Sequence, residues 1–116
     1  GGGIVMEAVE DFSTTANRTS KMTFQTRKDG TVYDHITIDQ SGHLYPEGTT
    51  QDLGSTSNPW QNIYTQDLVL SNEARPEGNE VDGTKGNWTI QEGEDHLYII
   101  NNKNGKKYRF ALEEIE

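Results

Sequence analysis

Residues 88–112 read WTIQEGEDHLYIINNKNGKKYRFAL. Trp88 to Gln91 and His96 to Asn101 flank the acidic turn Glu92-Gly93-Glu94-Asp95, and Asn104-Gly105 joins the second run to a third, Lys106 to Leu112. Asn-Gly is the strongest short-range hairpin signal, because the tight turns between antiparallel strands need positive φ angles that these residues tolerate. Side chains alternate along a strand, so Tyr108, Phe110 and Leu112 fall on one face of the third run. The stretch is expected to form an antiparallel meander of three strands with one aromatic-rich face.

Working outward, the same signals recur about every ten residues while helical periodicity is nearly absent, which predicts an all-β chain. Ile4 to Glu10 is a first candidate strand, and Asp11 to Ser20 reads as a polar loop. Lys21 to Arg27 alternates Met22, Phe24 and Thr26 against Lys21, Thr23 and Gln25. Asp29-Gly30 then turns the chain into Val32 to Ile38, an antiparallel partner. Ser41-Gly42 leads to His43-Leu44-Tyr45, and Pro46 and Gly48 close this section. Thr49 to Asn58 is loop-like, followed by two short candidate strands, Trp60 to Thr65 and Leu68 to Ser71. Residues 72–87, NEARPEGNEVDGTKGN, are rich in glycine, proline and charge and are expected to be mostly irregular.

Composition limits how such strands can be stabilised. The 116 residues suffice for one compact domain or two small modules, yet only 22 are Leu, Ile, Val or Phe and the net charge is -9. Those values border on the composition of disordered chains, but here the apolar residues are clustered in alternating runs. A small sheet is marginal alone and exposes unpaired backbone at its edges. Packing against copies of itself answers both problems, and three copies about an axis is the expected arrangement. With no cysteine, neither a disulfide framework nor a thiolate metal site is available.

The charge balance also narrows the partners. Ten basic against 19 acidic residues argue against binding a phosphate backbone. The one basic cluster, Lys103, Lys106, Lys107 and Arg109, reads as a strand presenting cations to solvent. No apolar run approaches the ~20 residues of a membrane span, and GGGIVM lacks the pattern of a signal peptide. Neither nucleic acid nor membrane insertion is expected.

Residues 52–71, DLGSTSNPWQNIYTQDLVLS, resemble a segment with LGS followed by W-x-x-I-Y near the C-termini of bacteriophage tail fibres and related virion proteins. The following GNEVDGTKGNWTIQEGEDHLYIINNKNGKKYRFALEEI is similar to the ends of structural proteins of marine phages. Upstream, MTFQTRKDGTVYDHITIDQSGHLYP resembles a fibre-shaft pattern of strands ending at Ser-Gly turns. The resemblance covers roughly residues 21 to 115. It implies an elongated homotrimer with intertwined or stacked β-strands, located in a virion fibre or spike. Its partners would be itself, other virion proteins and a host cell-surface glycan or protein.

Many relatives end in a self-cleaving chaperone marked by Ser-Asp-x-Arg-x-Lys after the W-x-x-I-Y segment. Here Ser71-Asn72-Glu73-Ala74-Arg75-Pro76 lacks the aspartate and the lysine, which implies a non-cleaving ending. On this basis residues 1–48 form a shaft-like β region, 49–71 a joint and 72–116 a closing β meander.

Catalytic chemistry finds little footing. The three histidines, His35, His43 and His96, accompany no Gly-x-Ser-x-Gly elbow. Glu77, Glu80, Glu92, Glu94 and Asp95 could pair as glycosidase carboxylates, but they sit in glycine-bearing turns where solvated acids are routine. Glu77 to Gly83 offers oxygen ligands without the spacing of an EF-hand. No enzyme activity, metal or cofactor is expected, and His35 and His43 read as strand or turn residues.

The aromatic and apolar side chains are therefore the candidate site. Trp60, Ile63, Tyr64, Leu68, Leu70, Trp88, Ile90, Tyr98, Ile100, Tyr108, Phe110 and Leu112 are expected at a trimer interface or in packing. Tyr33 and Tyr45 are the candidates for glycan contact. The leading expectation is a structural, trimerising module. The alternatives are a carbohydrate-binding or glycan-degrading tip and a capsid-decoration or neck-collar protein.

Overall fold

A computed structural model describes residues 3–8 and 19–116. Among them there is no helix. The chain divides into two units, Gly1–Pro59 and Trp60–Glu116, so the expected joint 49–71 is shared between them. Each unit carries one antiparallel sheet of four strands in sequence order.

The first sheet comprises β1 (Gly3–Ala8), β2 (Ser20–Lys28), β3 (Thr31–Ile38) and β4 (Leu44–Pro46). Ser20 opens β2 and does not belong to the expected loop, while Val9, Glu10 and residues 11–18 lie outside the described residues. Asp29 and Gly30 take φ of 51° and 81°, the two positive angles a type I′ turn demands, so the Asp-Gly signal sets the β2–β3 register. That register slips once: Phe24 faces Ile36 but Gln25 faces Asp34, leaving His35 as the extra residue of a β-bulge. The β3–β4 turn is organised by Asp39, whose Oδ1 accepts the amide protons of Ser41 (2.9 Å) and His43 (3.0 Å).

Pairing places Ile4, Phe24, Ile36 and Pro46 in one row, and Met22, Ile38 and Leu44 in the next, on one face. That face is apolar, as the alternation of Met22 and Phe24 predicts. Burial, however, falls on the opposite face. Thr23 and Thr37 are 1% and 0% exposed, whereas Met22, Phe24, Ile36 and Ile38 are only half-buried. The two threonines are the inner members of a row running Val5, Thr23, Thr37, Tyr45, on the two central strands of the sheet.

Their hydroxyls are satisfied internally. The Oγ1 atoms lie 3.2 Å apart, and Thr37 Oγ1 also donates to Glu47 Oε1. With its proton committed to Glu47, the Thr37 hydroxyl accepts from Thr23. Thr37→Val therefore strands a buried donor, and an unfolding free energy lower by about 1–3 kcal/mol is expected. The double variant Thr23→Val/Thr37→Val should cost no more than the single, as denaturant titration of the four-member cycle will show.

The second sheet comprises β5 (Leu68–Ser71), β6 (Asn87–Glu92), β7 (Leu97–Asn101) and β8 (Lys107–Arg109). The expected strand Trp60 to Thr65 is absent, for Asn58-Pro59 and the polar residues around it find no neighbouring strand. The expected third run is shorter than its pattern: β8 stops at Arg109, and one further amide bond, from Phe110 to the carbonyl of Leu97 (3.0 Å), ends the ladder.

Residues 72–86 contain no strand, but they are not loosely held. Asn72 Oδ1 accepts from Gly86 N (2.7 Å) and its Nδ2 donates to Thr84 O (3.2 Å), closing the loop at its base. Asn79 Oδ1 accepts from the amides of Val81 (2.8 Å) and Asp82 (3.0 Å), while its Nδ2 donates to Asp82 Oδ1 (2.6 Å). Asn and Asp side chains thus take the place of backbone partners.

Candidate association surface

Register divides the second sheet into two chemically distinct faces. One row reads Leu68, Ile90, Ile99, Tyr108, and beside it lie Leu70, Trp88 and Leu97. The Trp88 and Tyr108 rings meet at a centroid distance of 5.9 Å and a tilt of 40°, a geometry that favours aromatic pairs. The opposite face carries Val69, Thr89, Ile100 and Lys107 in one row, and Gln91, Tyr98 and Arg109 in the other. Tyr98 and Ile100 therefore do not join Trp88; Leu97 and Ile99 take their places. The pattern LYII allows either assignment, and only the partner register chooses.

The expected residues thus separate. Leu68, Leu70, Trp88, Ile90 and Tyr108 are brought together on one face, and Phe110 lies half-buried just beyond β8. Leu112, also beyond the strand, is exposed. Trp60, Ile63 and Tyr64 occupy irregular backbone and are 62%, 69% and 93% exposed. Tyr33 and Tyr45 are exposed on the first sheet, and His35 and His43 sit in its bulge and turn.

The decisive property is what this chain leaves uncovered. Among the described residues no apolar side chain is buried, and the buried ones with side chains are Thr23, Thr37 and Thr89. Thr89 is satisfied by Asn102 Nδ2 at 2.8 Å. Exposed apolar residues are ordinary when scattered. A whole apolar sheet face is not, and faces of this kind mark association surfaces.

Three carboxylates are held by partners within their own turns. Hydrogen bonds from the amide and hydroxyl of Thr84 hold the Asp82 carboxyl below its ordinary value, and the Arg75 guanidinium does the same for Glu77. Asp39 is lowered by the His43 amide. A general acid needs the opposite shift. Among the described residues no three His, Asp or Glu side chains converge where they could hold a metal ion.

These depressed values carry a pH dependence. Stability contributed by Asp39, Glu77 and Asp82 is fully present above the ordinary values of 3.8 and 4.5, and is lost as pH falls through the lower folded values. The melting temperature should hold steady down to about pH 5 and fall below it. A melting temperature unchanged by acid would contradict this account of the turns.

No family model, curated protein or solved structure matches the chain.

Proposed function

We propose that this chain is a non-enzymatic structural module of a phage virion fibre or spike, built to associate with two copies of itself. The observation that carries the reading is the pair of four-stranded sheets, each with an apolar face and neither with a buried apolar residue among those described. Fully covering a Leu, Ile or Phe side chain contributes about 1.5–3 kcal/mol. Seven large apolar residues on the face around Trp88, each still part-exposed, provide several kcal/mol per chain once covered.

A three-fold arrangement lets each chain bury its face against the others in a closed assembly, so that association does not run on into open fibres. The sequence resemblance supports the virion setting. In that setting the module's work is to hold three chains in register and to present the end of the fibre to other virion proteins or to the host surface.

Sedimentation equilibrium across a micromolar range tests association, with a mass of three chains expected and a monomer fatal to it. Trp60→Ala tests the anchor role of the irregular segment. It is expected to weaken the trimer by about 2 kcal/mol and lower its melting temperature. If the trimer and its melting are unchanged while cell binding is lost, Trp60 is a recognition platform instead.

A further inference from the structure

Where the loop 72–86 meets β5 and β6, an open groove of about 580 Å³ combines an aromatic wall with a carboxylate. Leu70 and Trp88 supply its apolar side, and Asn79, Asp82 and Thr84 its polar side. Both sides are held in place. The half-buried indole meets the Tyr108 ring at 5.9 Å between centroids, and it lies so close to Gly86 that a Cβ there would stand 3.2 Å from Nε1.

The carboxylate is fixed through one oxygen only. Asn79 Nδ2 (2.6 Å), Thr84 N (3.0 Å) and Thr84 Oγ1 (2.7 Å) all donate to Asp82 Oδ1. Among the described residues no other residue donates to Oδ2, and Asp82 forms no ion pair. Neither Lys85 nor Lys103 lines the groove, and Lys103 Nζ is taken by the carbonyl of Lys85 (3.2 Å). The groove therefore offers an anion and an indole without a cation of its own.

An ionised carboxylate beside an aromatic face selects an organic cation. The geometry selects further. A guanidinium forks onto both oxygens of a carboxylate, and Oδ1 is already filled, whereas an ammonium is a point charge that needs only one. The aliphatic stem of a lysine also finds cover on Leu70 and Trp88. A net charge of -9 favours the approach of a cation.

We infer that this groove binds the ammonium of a lysine side chain on a partner protein, with Asp82 Oδ2 accepting its hydrogen bond and Trp88 facing its stem. The inference goes beyond self-association, since every residue it needs belongs to one copy. An exposed ion pair with one aromatic neighbour binds weakly and weakens further with salt. Such a contact orients a partner more than it holds one.

Titration of the ¹⁵N-labelled full chain with Nα-acetyl-lysine methylamide tests this. The Trp88 indole and Thr84 amide resonances should shift with millimolar affinity. The arginine analogue should bind more weakly, and the norleucine analogue, which has no charge, should not bind. Asp82→Asn keeps an oxygen for the Asn79 and Thr84 bonds but removes the charge, and it should weaken lysine binding about fivefold. Glu80→Gln makes the same change in net charge outside the groove and should leave binding unchanged. Norleucine binding as well as lysine, arginine binding more tightly, equal losses in the two variants, or no shift at Trp88 and Thr84 would each overturn the inference. No shift in a protein that sediments as three chains leaves the association reading standing. A monomer that binds lysine sinks that reading and upholds this one.

Discussion

Gly78→Ala is expected to lower the unfolding free energy of the C-terminal unit by about 2 kcal/mol or more, the largest effect of any substitution in its loops. Gly78 is buried at a φ of 70°, and a Cβ there would stand 2.2 Å from the carbonyl oxygen of Gly83 and 2.6 Å from its carbon. Both atoms are backbone and cannot rotate away. The opposing arm is also held, since Asn79 N donates to Thr84 O (3.1 Å) and Gly83 N donates to Asn79 O (3.1 Å).

Gly83 provides the control. Its φ of 73° is nearly the same, but nothing lies within 4 Å of its would-be Cβ. Gly83→Ala therefore incurs only the cost of a left-handed alanine, about 1 kcal/mol. Chemical denaturation of both variants separates the clash from the backbone strain. Equal losses would show that the loop yields, and that residues 72–86 are held less firmly than their hydrogen bonds indicate.

Trp88→Ala should cost about 2–4 kcal/mol, somewhat below the range for a fully buried tryptophan because the indole is half-buried in the single chain. Trp88 lies between Leu70 and Asn101 in its row, touches the Tyr108 ring and lies close over Gly86. Part of the loss belongs to the chain's own sheet and part to association. The two are told apart by the concentration dependence of melting, which a self-associating protein shows and a monomer does not. Val69→Ala, on the opposite face of β5, should change stability by no more than about 0.5 kcal/mol. A Trp88→Ala protein that melts and associates like wild type would remove this face from the interface.

How much of this was legible beforehand varies with the range of the interaction. Turns were legible because their chemistry is local: Asp29-Gly30 and Gly105 take the positive φ angles that their residue types favour. The strand alternation of Met22 and Phe24 likewise located an apolar face. By contrast, the face of Leu97 and Ile99 against that of Tyr98 and Ile100 was not legible, since four consecutive apolar residues fit either register. The strand at Trp60 to Thr65 failed for a related reason. Its apolar residues look strand-like, but a strand exists only where another offers its edge.

The loop 72–86 shows a different limit. Its composition marks it as irregular, and it is, yet Asn72, Asn79 and Asp82 supply through side chains the hydrogen bonds that a regular element supplies through backbone. Nothing in the spacing of those residues announces that Gly78 will be pressed against Gly83. That contact arises from the closure of the loop as a whole.

By itself, then, the sequence determined an all-β chain, the position of most strands and turns, and a shortage of apolar residues that leaves a single chain a thin core. These follow from alternation, φ preference and composition, all properties of short range or of simple counting. Tertiary structure alone decided which apolar side chains of the second sheet would share a face with Trp88, that they would remain part-exposed, and that the buried side chains would be Thr23, Thr37 and Thr89. Which residues share a face depends on pairing between strands distant in the chain, and a register displaced by one residue would have turned every one of them to the other side.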